Sequence, residues 1–127
     1  MDFTTLDTRK KSNEGSFLQL IHPGTGLPLA ENGVKIGLHL FGKDSDAFAE
    51  ATHRRNNKRL GVKSSTQLTS EQIEAEGLEL LADLTSGWFG IDGYGEFSRE
   101  AVIALYKSLP WVKEQADTHI GDRANLF

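Results

Sequence analysis

The stretch VKIGLHLFGKDSDAF, residues 34–48, joins two periodicities. Val34, Ile36, Leu38 and Leu40 alternate with Lys35, Gly37, His39 and Phe41, the pattern of a strand with one buried face. After Gly42 the pattern changes. DAFAEATHRRNNKRL sets Ala47, Phe48 and Ala51 on one side of a helix, with Leu60 further along and Gly61 to stop it. Asp44 or Ser45 suits the N-cap of that helix, because its side-chain oxygen can accept from a free N–H of the first turn. Asp46 adds negative charge where the helix dipole is positive. A phosphate loop would need lysine followed directly by serine or threonine, and here Asp44 intervenes and would face the phosphate. The stretch therefore reads as a strand-to-helix joint rather than a nucleotide site.

Upstream, SFLQLIHP (16–23) reads as a strand broken by Pro23. PGTG (23–26) is turn chemistry, and GLPLAENG (26–33) continues as loop. The two strands are expected to pair as an antiparallel hairpin with a long loop. Residues 1–15 are polar and aperiodic and read as a flexible lead-in, with a short extended piece at Phe3–Leu6.

Downstream, KSSTQL (63–68) reads as a polar linker. TSEQ (69–72) is a capping box with Thr69 as N-cap, opening a helix over Ser70–Thr85 with Ile73, Gly77, Leu80, Leu81, Leu84 and Trp88 following helical spacing. GWFGIDGYGEF (87–97) is rich in glycine and reads as a loop. Ser98 caps a third helix whose apolar face is Val102, Ile103, Tyr106 and Leu109. Pro110 starts a fourth, carried through Trp111, Gln115, Ile120 and Leu126. The expected fold class is α+β: an N-terminal antiparallel β-hairpin followed by about four α-helices, with 16–127 as a single domain. A hairpin alone is marginal, so its apolar face must pack on the helices or on another copy.

Composition narrows the function classes. The chain has 127 residues, no cysteine and a net charge of −4, so neither disulfides nor a cysteine-based zinc site is available. No apolar run approaches the ~18 residues of a membrane span. Charge is uneven: residues 1–63 carry 10 Lys/Arg against 7 Asp/Glu, whereas 64–127 carry 4 against 11. Such a dipole can steer nucleic acid to one end or favour head-to-tail contact between copies. The four histidines, His22, His39, His53 and His119, fall in four different elements, and Asp92 and Glu96 lack the ligand alternation of a calcium loop. No metal, cofactor or catalytic residue is expected, and the chain reads as a non-enzyme.

Two patches are candidates for binding a partner. HRRNNKRLGVK (53–63) holds Arg54, Arg55, Lys58, Arg59 and Lys63 with no acid among them. It can contact phosphates, solvate a helix end, or dock an acidic partner. Nucleic acid is the less favoured of these, for want of interleaved aromatics. The aromatic loop around Trp88 and Phe89 is either core or interaction surface.

The order of segments carries a resemblance. DTRKKSNEGSFLQLIHPGTGLPL, VKIGLHLFGKDSDAF, GWFGIDG and EFSREAVIALYKSLPWVKEQADTHIGDRANLF together resemble the tail assembly chaperones of long-tailed, siphophage-type bacteriophages, over most of the chain. The resemblance implies a protein that binds and solubilises the tape measure protein and helps recruit the major tail protein of the tube. It implies a homo-oligomer in the cytoplasm of the infected bacterial host, absent from the mature virion, and in many members a longer frameshifted product. It transfers no site residue. Two other readings stand beside it: a structural tail or head–tail connector subunit retained in the virion, and a nucleic-acid-binding module using residues 53–63.

Overall fold

The computed structural model describes residues 1–60 and 69–127. The expected linker KSSTQL, Gly61 as helix stop and Lys63 lie outside the described residues. Among the described residues the fold is α+β, with five helices and a three-stranded antiparallel sheet.

The strands are β1 (Ser16–Gln19), β2 (Ala30–Glu31), β3 (Val34–Lys35), β4 (Gly37–Leu40) and β5 (Thr85–Phe89). The helices are α1 (Thr8–Glu14), α2 (Asp46–Leu60), α3 (Ser70–Asp83), α4 (Arg99–Ser108) and α5 (Pro110–Gly121). The expected hairpin forms, with Ser16 opposite Leu40 and Leu18 opposite Leu38. Alternation then sorts the faces. Leu38 and Leu40 are buried with Leu20 in a core shared with Leu78, Leu81 and Leu84 of the α3 region, Val102, Leu105 and Tyr106 of α4, and Val112, Ala116 and Ile120 of α5. Each fully buried leucine contributes roughly 1.5–3 kcal/mol by leaving water. Val34, expected on the same buried face, is 57% exposed, because the strand is interrupted before Gly37 and β3 belongs to a separate ribbon.

That ribbon replaces most of the expected long loop. β2 and β3 pair across Asn32–Gly33, both at positive φ (52° and 78°), which is the conformation a two-residue hairpin turn demands. Leu20 donates its N–H to Ile36 O, Leu29 to Leu20 O and Ile36 to Leu29 O, so the ribbon is stitched to the end of β1.

Two further expectations are corrected. GWFGIDGYGEF does not begin as a loop: Thr85–Phe89 is β5, which pairs with β4 at Leu38–Trp88 and Gly37–Phe89 and makes β4 the central strand. Residues 1–15, expected to be aperiodic with a short extended piece at Phe3–Leu6, instead form a 3-10 turn at Phe3–Leu6, capped by Asp2, and α1, capped by Asp7. Both caps accept backbone N–H groups, at Thr4 and Lys10.

The helix starts agree with their sequence signals. Thr69 and Gln72 close the capping box reciprocally. Ser98 accepts from Ala101 N, and Pro110 occupies the first turn of α5. α3 ends at Asp83, and α5 ends at Gly121, followed by a 3-10 turn over Arg123–Leu126. No helix among the described residues is long and apolar enough to cross a membrane.

Candidate functional site

The joint after β4 comes first, because its side chains were the strongest candidates for chemistry. Ser45 is the N-cap of α2: its Oγ accepts from Phe48 N at 3.1 Å and donates to Gly42 O at 2.6 Å. Its neighbours diverge to three separate elements. Lys43 Nζ donates to Gly121 O at 2.8 Å, at the end of α5. Asp44 accepts twice from Arg123, at 2.7 and 2.8 Å. Asp46 accepts from Arg9 at 2.8 Å and Asn13 at 3.2 Å, both on α1. The hydrogen bonds from Arg123 hold the Asp44 carboxyl down at about 2, well below its ordinary range. Gly37, Gly42 and Lys43 do keep the spacing of the first half of a phosphate loop. Gly37 is nevertheless inside β4, pressed against the Leu18 carbonyl, so the intervening residues are strand and cannot wrap a phosphate. The joint thus ties the N-terminal helix and the C-terminal turn to the start of α2.

The basic candidates lie on α2, facing acidic α3. Arg54 pairs with Asp83 at 3.3 Å, and Asp83 also receives Arg99 at 3.2 Å. Arg55 Nε lies 3.3 Å from Glu76 Oε2, a charge contact rather than an aligned hydrogen bond. These residues and exposed Lys58 line a cleft of about 210 Å³ with Glu79 and Leu80. The charge asymmetry of the sequence is therefore partly spent inside the molecule. The side chain of Arg59 lies outside the described residues.

The aromatic candidates separate onto opposite faces of the sheet, as adjacent strand residues must. Trp88 shares the inner face with Leu38, is half-buried, and meets Phe97 edge-on at 5.5 Å. Phe89 lies on the outer face and is 49% exposed. Its ring meets Phe17 of β1 at 5.6 Å across Gly37, where a side chain would strike both the Leu18 carbonyl and the Phe17 ring. His39 and Phe41 follow on that face, with His39 Nδ1 bonded to Ser86 Oγ. Phe17 was not among the sequence candidates, and only its cross-strand register with the glycine-bearing β4 could have pointed to it.

The two edges of the sheet differ. Past β1, Ile21 gives its N–H to Gln115 Oε1 at 2.9 Å and accepts from Gln115 Nε2 at 2.8 Å, so α5 closes that edge. Ser16 Oγ adds a 2.7 Å bond to His119 Nε2, and burial lowers the pKa of that imidazole, favouring its neutral form. Among the described residues no hydrogen bond beyond the ladder with β4 reaches the backbone of residues 86–89. Among the described residues β5 is thus an open edge, the kind of edge to which another strand can add. No family model, no curated protein and no solved structure matches this chain.

Proposed function

We propose that the protein is a phage tail assembly chaperone, a non-enzymatic binder that keeps the tape measure protein soluble and helps recruit the major tail protein. The order of its segments carries this reading: hairpin, strand-to-helix joint, tryptophan strand and the closing LYKSLPWVKEQADTHIGDRANLF. The disposition of polar groups supports it. Lys43, Asp44, Ser45 and Asp46 are each committed to the protein's own chain. Among the features that the described residues present outward are the Phe17–Phe89 pair, the β5 edge and the α2–α3 cleft. Such surfaces suit many modest contacts along a long client rather than one deep substrate site. The pairing of Arg54 and Arg55 with Asp83 and Glu76 favours a protein partner over phosphates, because both guanidiniums already face carboxylates.

Quantitative proteomics of infected cells and of purified particles tests the reading. A chaperone is abundant in the infected cytoplasm and missing from the particle. Persistence in the particle at the stoichiometry of tail components would instead make the chain a structural or connector subunit.

A further inference from the structure

We propose that the edge of β5 takes a short extended segment of another protein, one with a bulky apolar centre and basic flanks, as a fourth strand of the sheet. The direction of the backbone groups on this edge follows from β4. Phe41 donates its N–H to Leu84 O, and His39 O accepts from Ser86 Oγ at 3.2 Å, so both residues turn their backbones toward β5. Alternation gives Gly37 the same direction. Their pair partners Gly87 and Phe89 therefore bond to β4, and the N–H and C=O of Trp88, between them, point away from the sheet. Among the described residues no hydrogen bond meets those two groups. A donor and an acceptor side by side on a strand edge are what the backbone of one more strand pairs with.

Gly87 bears on what that strand carries. Glycine inside a strand weakens it, yet Gly87 does not adopt positive φ, and nothing lies within 4 Å of the place a Cβ would occupy. On the outer face it sits between its pair partner His39 and exposed Phe89. A large side chain on the added strand has room to lie across it, the way aromatics cover edge glycines. On the inner side of the same edge Trp88 meets exposed Phe97 at 5.5 Å, a second apolar neighbour. Charge selects the flanks. The loop leaving β5 and the first turn of α4 carry Asp92, Glu96 and Glu100, all exposed. Arg99, the one base in residues 85–100, is engaged by Asp83. A basic segment complements this border, whereas the β5 of a second copy would bring acid to acid. The connection from Leu60 to Thr69 enters α3 at the end away from β5, and the 14 residues of α3 span about 21 Å.

The inference rests on the reading of this chain as a binder of other proteins and names the surface and the kind of segment it takes. The test is NMR of the full chain titrated with the peptide acetyl-Lys-Lys-Val-Phe-Val-Lys-Lys-amide, following amide hydrogen exchange at Trp88. In the free protein the Trp88 amide is expected to exchange at least about tenfold faster than that of Leu38 in the central strand, and saturating peptide to slow it at least about tenfold. The same peptide with glutamate in place of lysine is expected to bind at least about tenfold more weakly, as is the lysine peptide to Gly87→Lys, which blunts the edge. Asp92→Lys with Glu96→Lys, both in the exposed loop, serves should Gly87→Lys unfold the domain: it should weaken the lysine peptide and strengthen the glutamate one. A Trp88 amide already protected in the dilute free protein would mean that the chain covers its own edge, and protection that appears on concentrating it would give the edge to a second copy. Either result, a glutamate peptide that binds as well as the lysine one, or Gly87→Lys binding like wild type would overturn the proposal. A chain that takes no peptide yet keeps the tape measure protein soluble would overturn this inference alone. Peptide capture by a chain that leaves that client insoluble would count against the chaperone reading alone.

Discussion

Arg123 grips Asp44 at two points across 79 residues of sequence, Nε to Oδ2 at 2.7 Å and Nη2 to Oδ1 at 2.8 Å. This fork brings the turn after α5 onto the residue just before the N-cap of α2. With Arg9–Asp46 and Lys43–Gly121 beside it, the joint after β4 becomes the place where both ends of the described chain are fastened.

The fork gives a pH dependence. The Asp44 carboxyl titrates at about 2 in the folded protein and near 3.9 when unfolded, so its contribution is present above ~4 and is lost as pH falls toward 2. Asp44→Asn is expected to destabilise the protein at pH 7 by about 1 kcal/mol or less, because the pair is screened by solvent. Urea unfolding at pH 7 and pH 2 checks this, and the wild type and the variant should converge at the lower pH. A gap of the same size at both values would mean that the fork contributes nothing.

Ser12, on α1, is fully buried, and its Oγ has no hydrogen-bond partner among the described residues. It lies against Gly42, which donates its N–H to Ser12 O at 3.0 Å. An unsatisfied buried hydroxyl costs about 1–3 kcal/mol, so Ser12→Ala is expected to leave stability unchanged or raise it by about 1 kcal/mol. Chemical denaturation of the variant decides, and a clear loss would show that the hydroxyl has a partner.

Thr85 and Tyr106 form a hydrogen bond between two buried side chains. Thr85 Oγ1 donates to Leu81 O at 2.8 Å, which leaves the Tyr106 hydroxyl to donate to Thr85 at 2.7 Å. Tyr106→Phe is expected to cost about 1 kcal/mol, and Thr85→Val more, since it orphans the phenol. Burial pushes the Tyr106 pKa upward. The unfolded chain therefore ionises first, and this contribution is complete below about pH 10 and fades as pH rises beyond it. Near-ultraviolet titration should find one tyrosine that ionises only on unfolding.

Arg55 and Glu76 set the limit on mutating the basic helix. Arg55→Glu places a like charge 3.3 Å from where Glu76 now meets a guanidinium. It is expected to lower the melting temperature, and Arg55→Glu with Glu76→Arg to recover most of the loss. A single variant as stable as wild type would mean the contact is unimportant in solution.

Local signals were legible wherever one residue type does one backbone task. Thr69, Ser98 and Pro110 start their helices as their chemistry requires, and the alternation from Ile36 to Leu40 identified the central strand. β5 was missed because TSGWF has no period of its own and follows a helix directly; pairing with β4 makes it a strand. α1 was missed because TRKKSNE has no apolar stripe, and its support comes from the Asp7 cap and from Asp46, more than 30 residues away. Asn32–Gly33 was a readable turn signal, hidden inside a segment taken as a single loop. The candidate patches were harder. That Arg54 and Arg55 face acids follows from how α2 lies on α3, and that Trp88 turns inward while Phe89 turns outward follows from β5 being a strand.

The proposed chaperone function is tested most directly by co-expressing this chain with a tape measure protein encoded beside it, reading the soluble fraction of that client and its capture on a tagged copy of this chain. The account predicts a client that is insoluble alone, soluble in the presence of this chain, and co-purified with it. A client equally insoluble with and without it, and no capture, would contradict the account.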